Sequence, residues 1–178
     1  MGFEAASVNE IVKRSGGSLA TLYKLFGTKE ELFESLVIAR TQSIYESLAF
    51  DRLSEFPPTK VLRDIGLTLT QICASPQGAA IFRIVMAEGA RFSRLREIFL
   101  TNAIDLVQHD LAKYLTRQVK AGTLELEDPL QATKQFLEMV KGDLAIRICC
   151  GAQAPSRRAL ERQVESAVHL FLHGALPR

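Results

Sequence analysis

Tryptophan is absent from the chain, and cysteine is scarce: Cys73, Cys149 and Cys150, with no C-x-x-C spacing. An odd number of thiols set in apolar helical patterns excludes a disulfide framework and suits a reduced, cytoplasmic protein. Charge of one sign is also lacking. Against 22 basic residues stand 20 acidic ones, a net charge of +2. Up to residue 40 the balance is zero, with Lys13, Arg14, Lys24, Lys29 and Arg40 against Glu4, Glu10, Glu30, Glu31 and Glu34. A broadly basic surface, the usual footprint of a nucleic-acid binder, is therefore excluded, and only a local arrangement could take its place. No early segment has the form of a signal peptide. No apolar run reaches the roughly 18 residues a membrane span requires, so no membrane partner is expected. Alternating period-two runs are almost missing, which argues against a sheet.

What remains is helical. The 178 residues suffice for one sizeable core or a core with a small satellite, and the 47% hydrophobic and 24% charged fractions are those of an ordinary globular chain. The 11 glycines and 6 prolines fall mostly at segment ends. Ser7 with Glu10 forms a capping box that opens a helix to about Ser15, with Val8, Ile11 and Val12 as its apolar stripe. Gly16-Gly17 stops it. Ser18 caps a second helix to about Phe26, with Leu22, Leu25 and Phe26 inward. After Gly27, Thr28 and Glu31 make another capping box for a longer helix to about Phe50, buried through Leu32, Phe33, Leu36, Ile44 and Leu48.

Pro57-Pro58 is the clearest break. Beyond it the pattern predicts a helix capped by Thr59 and running to about Ala74, then one opened by Ser75-Pro76. Others run from about Ser93 to Ala121, from Asp128-Pro129 to about Cys150, and from Ser156 to about His173. There is no internal repeat. The expected fold is all-α, with about eight helices. Residues 1–46 would be a helix-turn-helix DNA-binding unit and 47–178 a second helical domain.

Residues 7–26 meet the conditions of a helix-turn-helix: two short helices, a glycine turn and a polar outer face on the second helix. Ser18, Thr21 and Tyr23 offer hydroxyls to phosphate oxygens and Lys24 offers charge; Lys29 lies where its ammonium and a helix N-terminus could share a phosphate. Any small helical domain also has capped helices and a polar face, and the neutral charge balance weighs against DNA.

The stretch GFEAASVNEIVKRSGGSLATLYKLFGTKEELFESL resembles the DNA-binding signature of the TetR family of transcriptional regulators. The family pattern is approximately G-[FY]-x-x-[ST]-[VT]-x-x-I-A-x-x-A-G-V-S-x-G-T-[LI]-Y-x-[HY]-F-x-[ST]-K-E-x-L. It is met at Gly2, Phe3, Ser7, Val8, Ile11, Gly16, Ser18, Thr21, Leu22, Tyr23, Phe26, Thr28, Lys29, Glu30 and Leu32. The resemblance implies that Thr21, Tyr23 and Lys29 contact phosphates, with Ser7 doing so at the preceding helix. It places Ser18, Leu19, Ala20 and Lys24 where base edges are read. Gly17, Ala20 and Leu25 depart from the family's Val, Gly and His or Tyr. Family members carry one more helix ahead of the Gly2-Phe3 position. The expectation is that this helix is missing, leaving a truncated three-helix domain that binds operator DNA poorly.

The second half is similar to the AefR-like branch of the same family, through Glu88, Arg91 and Phe92 and then Gly122, Leu124, Asp128 and Pro129. This implies a ligand-binding and dimerisation domain. Phe82, Met86, Phe92, Phe99, Phe136 and Met139 could surround a cavity for a lipophilic effector, or simply fill a core. Glu88 and Arg91 could form a local ion pair or anchor a ligand. Two stripes, Val140, Leu144 and Ile148 with Leu160, Val164, Val168, Phe171 and Leu172, suit a four-helix interface of a homodimer. Such a dimer would space two recognition helices on a pseudo-palindrome.

His169 and His173 share a helix face but lack a third ligand, so no metal is expected. Cys149-Cys150 could sense oxidants, or be a plain buried pair. No nucleophile, base or phosphate-cradling loop converges, which excludes an enzyme, and no cofactor is implied. The expected function is a repressor released from double-stranded operator DNA by a small-molecule effector. The alternative is a helical dimer that binds a ligand or protein without DNA.

Overall fold

The computed structural model of the chain describes residues 7–50 and 55–174, and among them there are helices and no strands. Gly2 and Phe3, two positions of the signature, lie outside the described residues.

Helix α1 (Val8–Ser15) begins at Ser7, whose hydroxyl accepts the Glu10 amide at 3.4 Å. It ends at Gly16, which adopts the left-handed conformation (φ 71°) that costs a residue without Cβ nothing. Helix α2 (Leu19–Phe26) is capped by Ser18, and α3 (Lys29–Leu48) by the reciprocal Thr28–Glu31 box. The second domain contains α4 (Pro58–Ala74), α5 (Pro76–Glu88), α6 (Ser93–Phe99), α7 (Leu106–Lys120), α8 (Pro129–Lys141), α9 (Leu144–Cys149) and α10 (Arg157–His173). A π-helical segment, Leu100–Asp105, joins α6 to α7.

Three helix boundaries differ from the sequence expectation. Helix α4 starts at Pro58 rather than being capped by Thr59, because proline's fixed φ and missing N–H suit the first helical position. The helix expected from Ser93 to Ala121 is interrupted by the π segment. The helix expected from Pro129 to Cys150 breaks at Gly142 (φ 50°, ψ −136°) and restarts as α9. The domain boundary expected at residue 46 falls inside α3, which continues unbroken to Leu48.

The main core joins α4, α7, α8 and α10. Leu62, Ile65, Leu111, Leu115, Phe136, Val140 and Val164 are all fully excluded from solvent there. Leu48, at the end of α3, is buried in the same cluster. Helices α4 and α10 approach closely at Gly66, where an added Cβ would sit 2.8 Å from a Val164 methyl. Tyr114 fastens the segment that leads into α4: its ring is buried and its hydroxyl donates to the Phe56 carbonyl at 2.8 Å.

The helix-turn-helix carries little core of its own. Leu22 is the one residue of α1 and α2 that is buried, while Val8, Ile11, Val12 and Phe26 are half-covered. Leu25 was expected inward but is 70% exposed, and Leu36 is 50% exposed. Each stands one turn along its helix from a buried leucine, Leu25 from Leu22 and Leu36 from Leu32, so periodicity alone does not separate the covered positions from the uncovered ones.

Candidate nucleic-acid interface and effector cavity

The outer face of α2 is built by its cap. The Ser18 hydroxyl accepts the Thr21 amide at 3.1 Å and lies 2.9 Å from the Thr21 hydroxyl. One O–H of this pair closes their mutual bond, and the other stays available to an outside acceptor. A phosphate oxygen placed at the start of α2 would also meet the unpaired amides of its first turn. Ser18, Leu19, Ala20, Thr21, Tyr23 and Lys24 are all exposed, so the structure puts these residues on one accessible helix. Ser7 is exposed at the head of α1. Lys29 is half-buried in the first turn of α3. Arg14 is drawn back along α1 by an ion pair with Glu10 at 3.0 Å.

A cavity with a volume of about 230 Å³ lies mainly in the second domain. Its walls come from seven elements. Ile44 is supplied by α3; Leu69, Ile72 and Cys73 by α4; Ala79, Ile81 and Phe82 by α5. Phe99 closes the end of α6, and Ala103 and Ile104 follow from the π segment. Glu138 and Lys141 of α8, with Ala145 and Ile146 beyond the Gly142 break, complete the lining. Burial raises the Cys73 thiol above the ordinary range, partly offset by the positive charge of Lys141.

Of the six aromatic and methionine side chains expected here, Phe82 and Phe99 reach the cavity. Phe136 does not: it is fully buried in the main core, edge-on to Phe171 with ring centroids 5.2 Å apart. Met139 packs against that same core, Met86 is 69% exposed, and Phe92 lies under the Arg91 guanidinium. Helical periodicity marks apolar side chains but not which of two apolar spaces they enter. The aliphatic lining and Lys141 were missed for that reason. A lysine ending an apolar helix just before a glycine was the available signal for the latter.

The expected dimer stripe needs a similar correction. Val140, Leu144, Leu160, Val164 and Val168 are buried within the chain itself, Val140, Val164 and Val168 in the main core. Phe171 and Leu172 pack at the edge of that core, and Ile148 is half-buried. The apolar residues of α8 to α10 that do face outward are Leu130, Ile146 and Leu170. His169 and His173 stack at 4.8 Å between ring centroids, and no cluster among the described residues has the composition of a metal site. No helix among them is long and apolar enough to cross a membrane.

A capped helix-turn-helix continuous with a helical domain that encloses an apolar cavity is the architecture of a ligand-binding transcription factor. The chain belongs to the TetR family. Residues 1–36 match the model for bacterial regulatory proteins of the tetR family, and residues 60–174 match the C-terminal domain of AefR-like transcriptional repressors. This is a family of DNA-binding transcriptional regulators rather than enzymes. Among solved structures the chain is similar to the flavonoid-responsive regulator FrrA, at 33% identity and a TM-score of 0.77, covering 100% of this chain and 90% of that one. A TetR-family regulator from Mesorhizobium loti MAFF303099 has a TM-score of 0.86 at 20% identity, covering 96% and 86%. FadR from Bacillus subtilis, in complex with stearoyl-CoA, has a TM-score of 0.70 at 17% identity, covering 98% and 91%. These last two share the fold. Among curated proteins none matches.

Proposed function

We propose that this chain is a dimeric repressor, released from a pseudo-palindromic operator when a small lipophilic effector enters the cavity. The observation that carries the reading is α3. Its first turn holds Lys29 beside the recognition helix, its Ile44 lines the cavity, and its Leu48 is set in the main core. At about 1.5 Å per residue, the helix spans roughly 22 Å from Lys29 to Ile44. Near its start, Glu34 is bridged to Arg94 of α6 at 2.9 Å, and the same α6 ends in the cavity residue Phe99. A ligand that spreads Phe99 from Ile44 therefore moves both supports of the reading head. The effector acts by binding that arrangement better than the one that fits DNA, a population shift with reciprocal coupling.

Thr21, Tyr23 and Lys29, with Ser7, serve as phosphate contacts, and Ser18, Leu19, Ala20 and Lys24 face the bases. The dimer forms through the outward sides of α8 and α10, where Leu130 and Leu170 stand exposed. The similarity to a flavonoid-responsive regulator and to one that holds stearoyl-CoA supports a lipophilic effector. The test is selection of bound fragments from genomic DNA, followed by footprinting. The expected footprint contains two half-sites about one helical turn apart, or a multiple of it. Sequence-independent binding, or none at low salt, would overturn the DNA reading and leave a helical ligand- or protein-binding dimer.

A further inference from the structure

The cavity wall is apolar except at one place. Glu138 and Lys141 are its two charged lining residues, paired at 2.7 Å across one turn at the end of α8. They are not equally placed. The Lys141 side chain is 30% exposed and that of Glu138 is 68% exposed, so the lysine is the more covered of the two. The nearby cation of α9, Arg147, is drawn off to Asp143 at 2.6 Å and lies largely in solvent.

Cys73 of α4 lines the same space. Burial pushes its thiol up; the Lys141 charge pulls it down, and Glu138 and Cys149 each push it up by less. An occupant thus meets the Lys141 side chain as the more covered charged group of an otherwise apolar wall.

Building on the reading of this cavity as the effector site, we propose that the effector is an amphiphilic anion. Its carboxylate or phenolate replaces Glu138 on Lys141, while its apolar body lies between Phe82, Phe99 and Ile104. The exchange is favourable because the bond being broken is solvent-exposed. A water-facing ion pair contributes little, whereas the new pair forms in the water-poor end of the chamber. Glu138 loses nothing by swinging out, since it is already mostly hydrated. A cationic effector would have to pair with Glu138 in solvent and leave Lys141 beside apolar walls. The lysine also lies in the last turn of α8, where the negative end of the helix dipole favours a cation.

The test uses two probes of one shape, 2-naphthoate and the neutral 2-naphthamide, titrated calorimetrically into the full chain. The acid should bind about tenfold more tightly, the gain of one charge-assisted hydrogen bond. K141M should erase that preference, K141R should retain it, and E138Q should strengthen the acid alone. Thermal melts of each variant establish that it folds, and E138Q carries the test should K141M not. Equal affinities for the two probes, or a preference that survives K141M, would overturn the anion assignment while leaving the cavity an effector site. Failure of both probes to bind a chain that still binds operator would overturn the assignment and the cavity's role together.

Discussion

The reading head has an unusual budget of charge, and the salt dependence of operator binding should show it. Residues 1–29 hold four cations, Lys13, Arg14, Lys24 and Lys29. Arg14 is tied to Glu10, so at most three per protomer, Lys13, Lys24 and Lys29, count toward phosphates. A two-fold dimer then neutralises at most six, and each contributes about 0.9 to the slope of log K against log salt. The expected slope is no steeper than about −5. Much of the affinity must come instead from neutral hydroxyls. Tyr23, 45% exposed at the outer face of α2, is the most prominent. A hydrogen bond to a charged group contributes about 1.5 kcal/mol at the low end of its range. That figure is appropriate to a half-exposed side chain. Tyr23→Phe, counted twice in the dimer, should cost about 3 kcal/mol, or roughly 150-fold in affinity, with the salt slope unchanged. Lys29→Met should do the opposite, lowering the slope by about 2 per dimer while costing less affinity at high salt. Fluorescence anisotropy with a labelled operator, run at several salt concentrations, separates the two effects. A slope steeper than −8, or a Tyr23→Phe loss that vanishes at high salt, would refute the reasoning.

Three further outcomes follow from the packing. Gly66→Ala should destabilise the chain by about 1–3 kcal/mol, because its methyl meets Val164 where neither α4 nor α10 can withdraw; a denaturant titration measures this, and an unchanged midpoint would contradict the contact. Thr133→Val should be neutral or raise stability by about 1 kcal/mol, since the Thr133 hydroxyl is buried without a hydrogen-bond partner and valine has its shape. Exposed Cys150 should react first with a thiol reagent and half-buried Cys73 last. The raised Cys73 thiol should go on gaining reactivity above about pH 8.5, where an ordinary thiolate is half formed, and a cavity ligand should slow Cys73 alone.

The elements legible in the sequence were those with local causes. Caps at Ser7, Ser18, Thr28, Ser75, Asp128 and Ser156 are satisfied by hydrogen bonds within three residues, so each start could be read from a short window. The exposed face of α2 was legible for the same reason, since its polar groups and its cap lie within one turn of each other. Burial was less so. Val140, Val164 and Val168 form the kind of stripe that can face either a partner or the chain's own core. Which one it faces depends on Leu62, Ile65 and Leu111 from distant helices.

The cavity escaped the sequence for a related but distinct reason. Two helices predicted as continuous are both interrupted, and each interruption forms part of its wall. The π segment brings Ala103 and Ile104 to the lining, and the Gly142 break brings Ala145 and Ile146 there. LTNAID contains neither glycine nor proline, so nothing local marks the wider turn, and a 3.6-residue period continues through it in the sequence. The backbone at Gly142 has positive φ, open to a residue without Cβ, but a single glycine in a helical pattern also fits an uninterrupted helix. Unbroken, the two helices would each keep one continuous stripe against the core. Broken, they turn small and aliphatic side chains toward a space that the core does not fill. The departures from regular periodicity are thus where an apolar interior opens into a cavity, and one of them, the π segment, packs on α3, whose first turn carries Lys29.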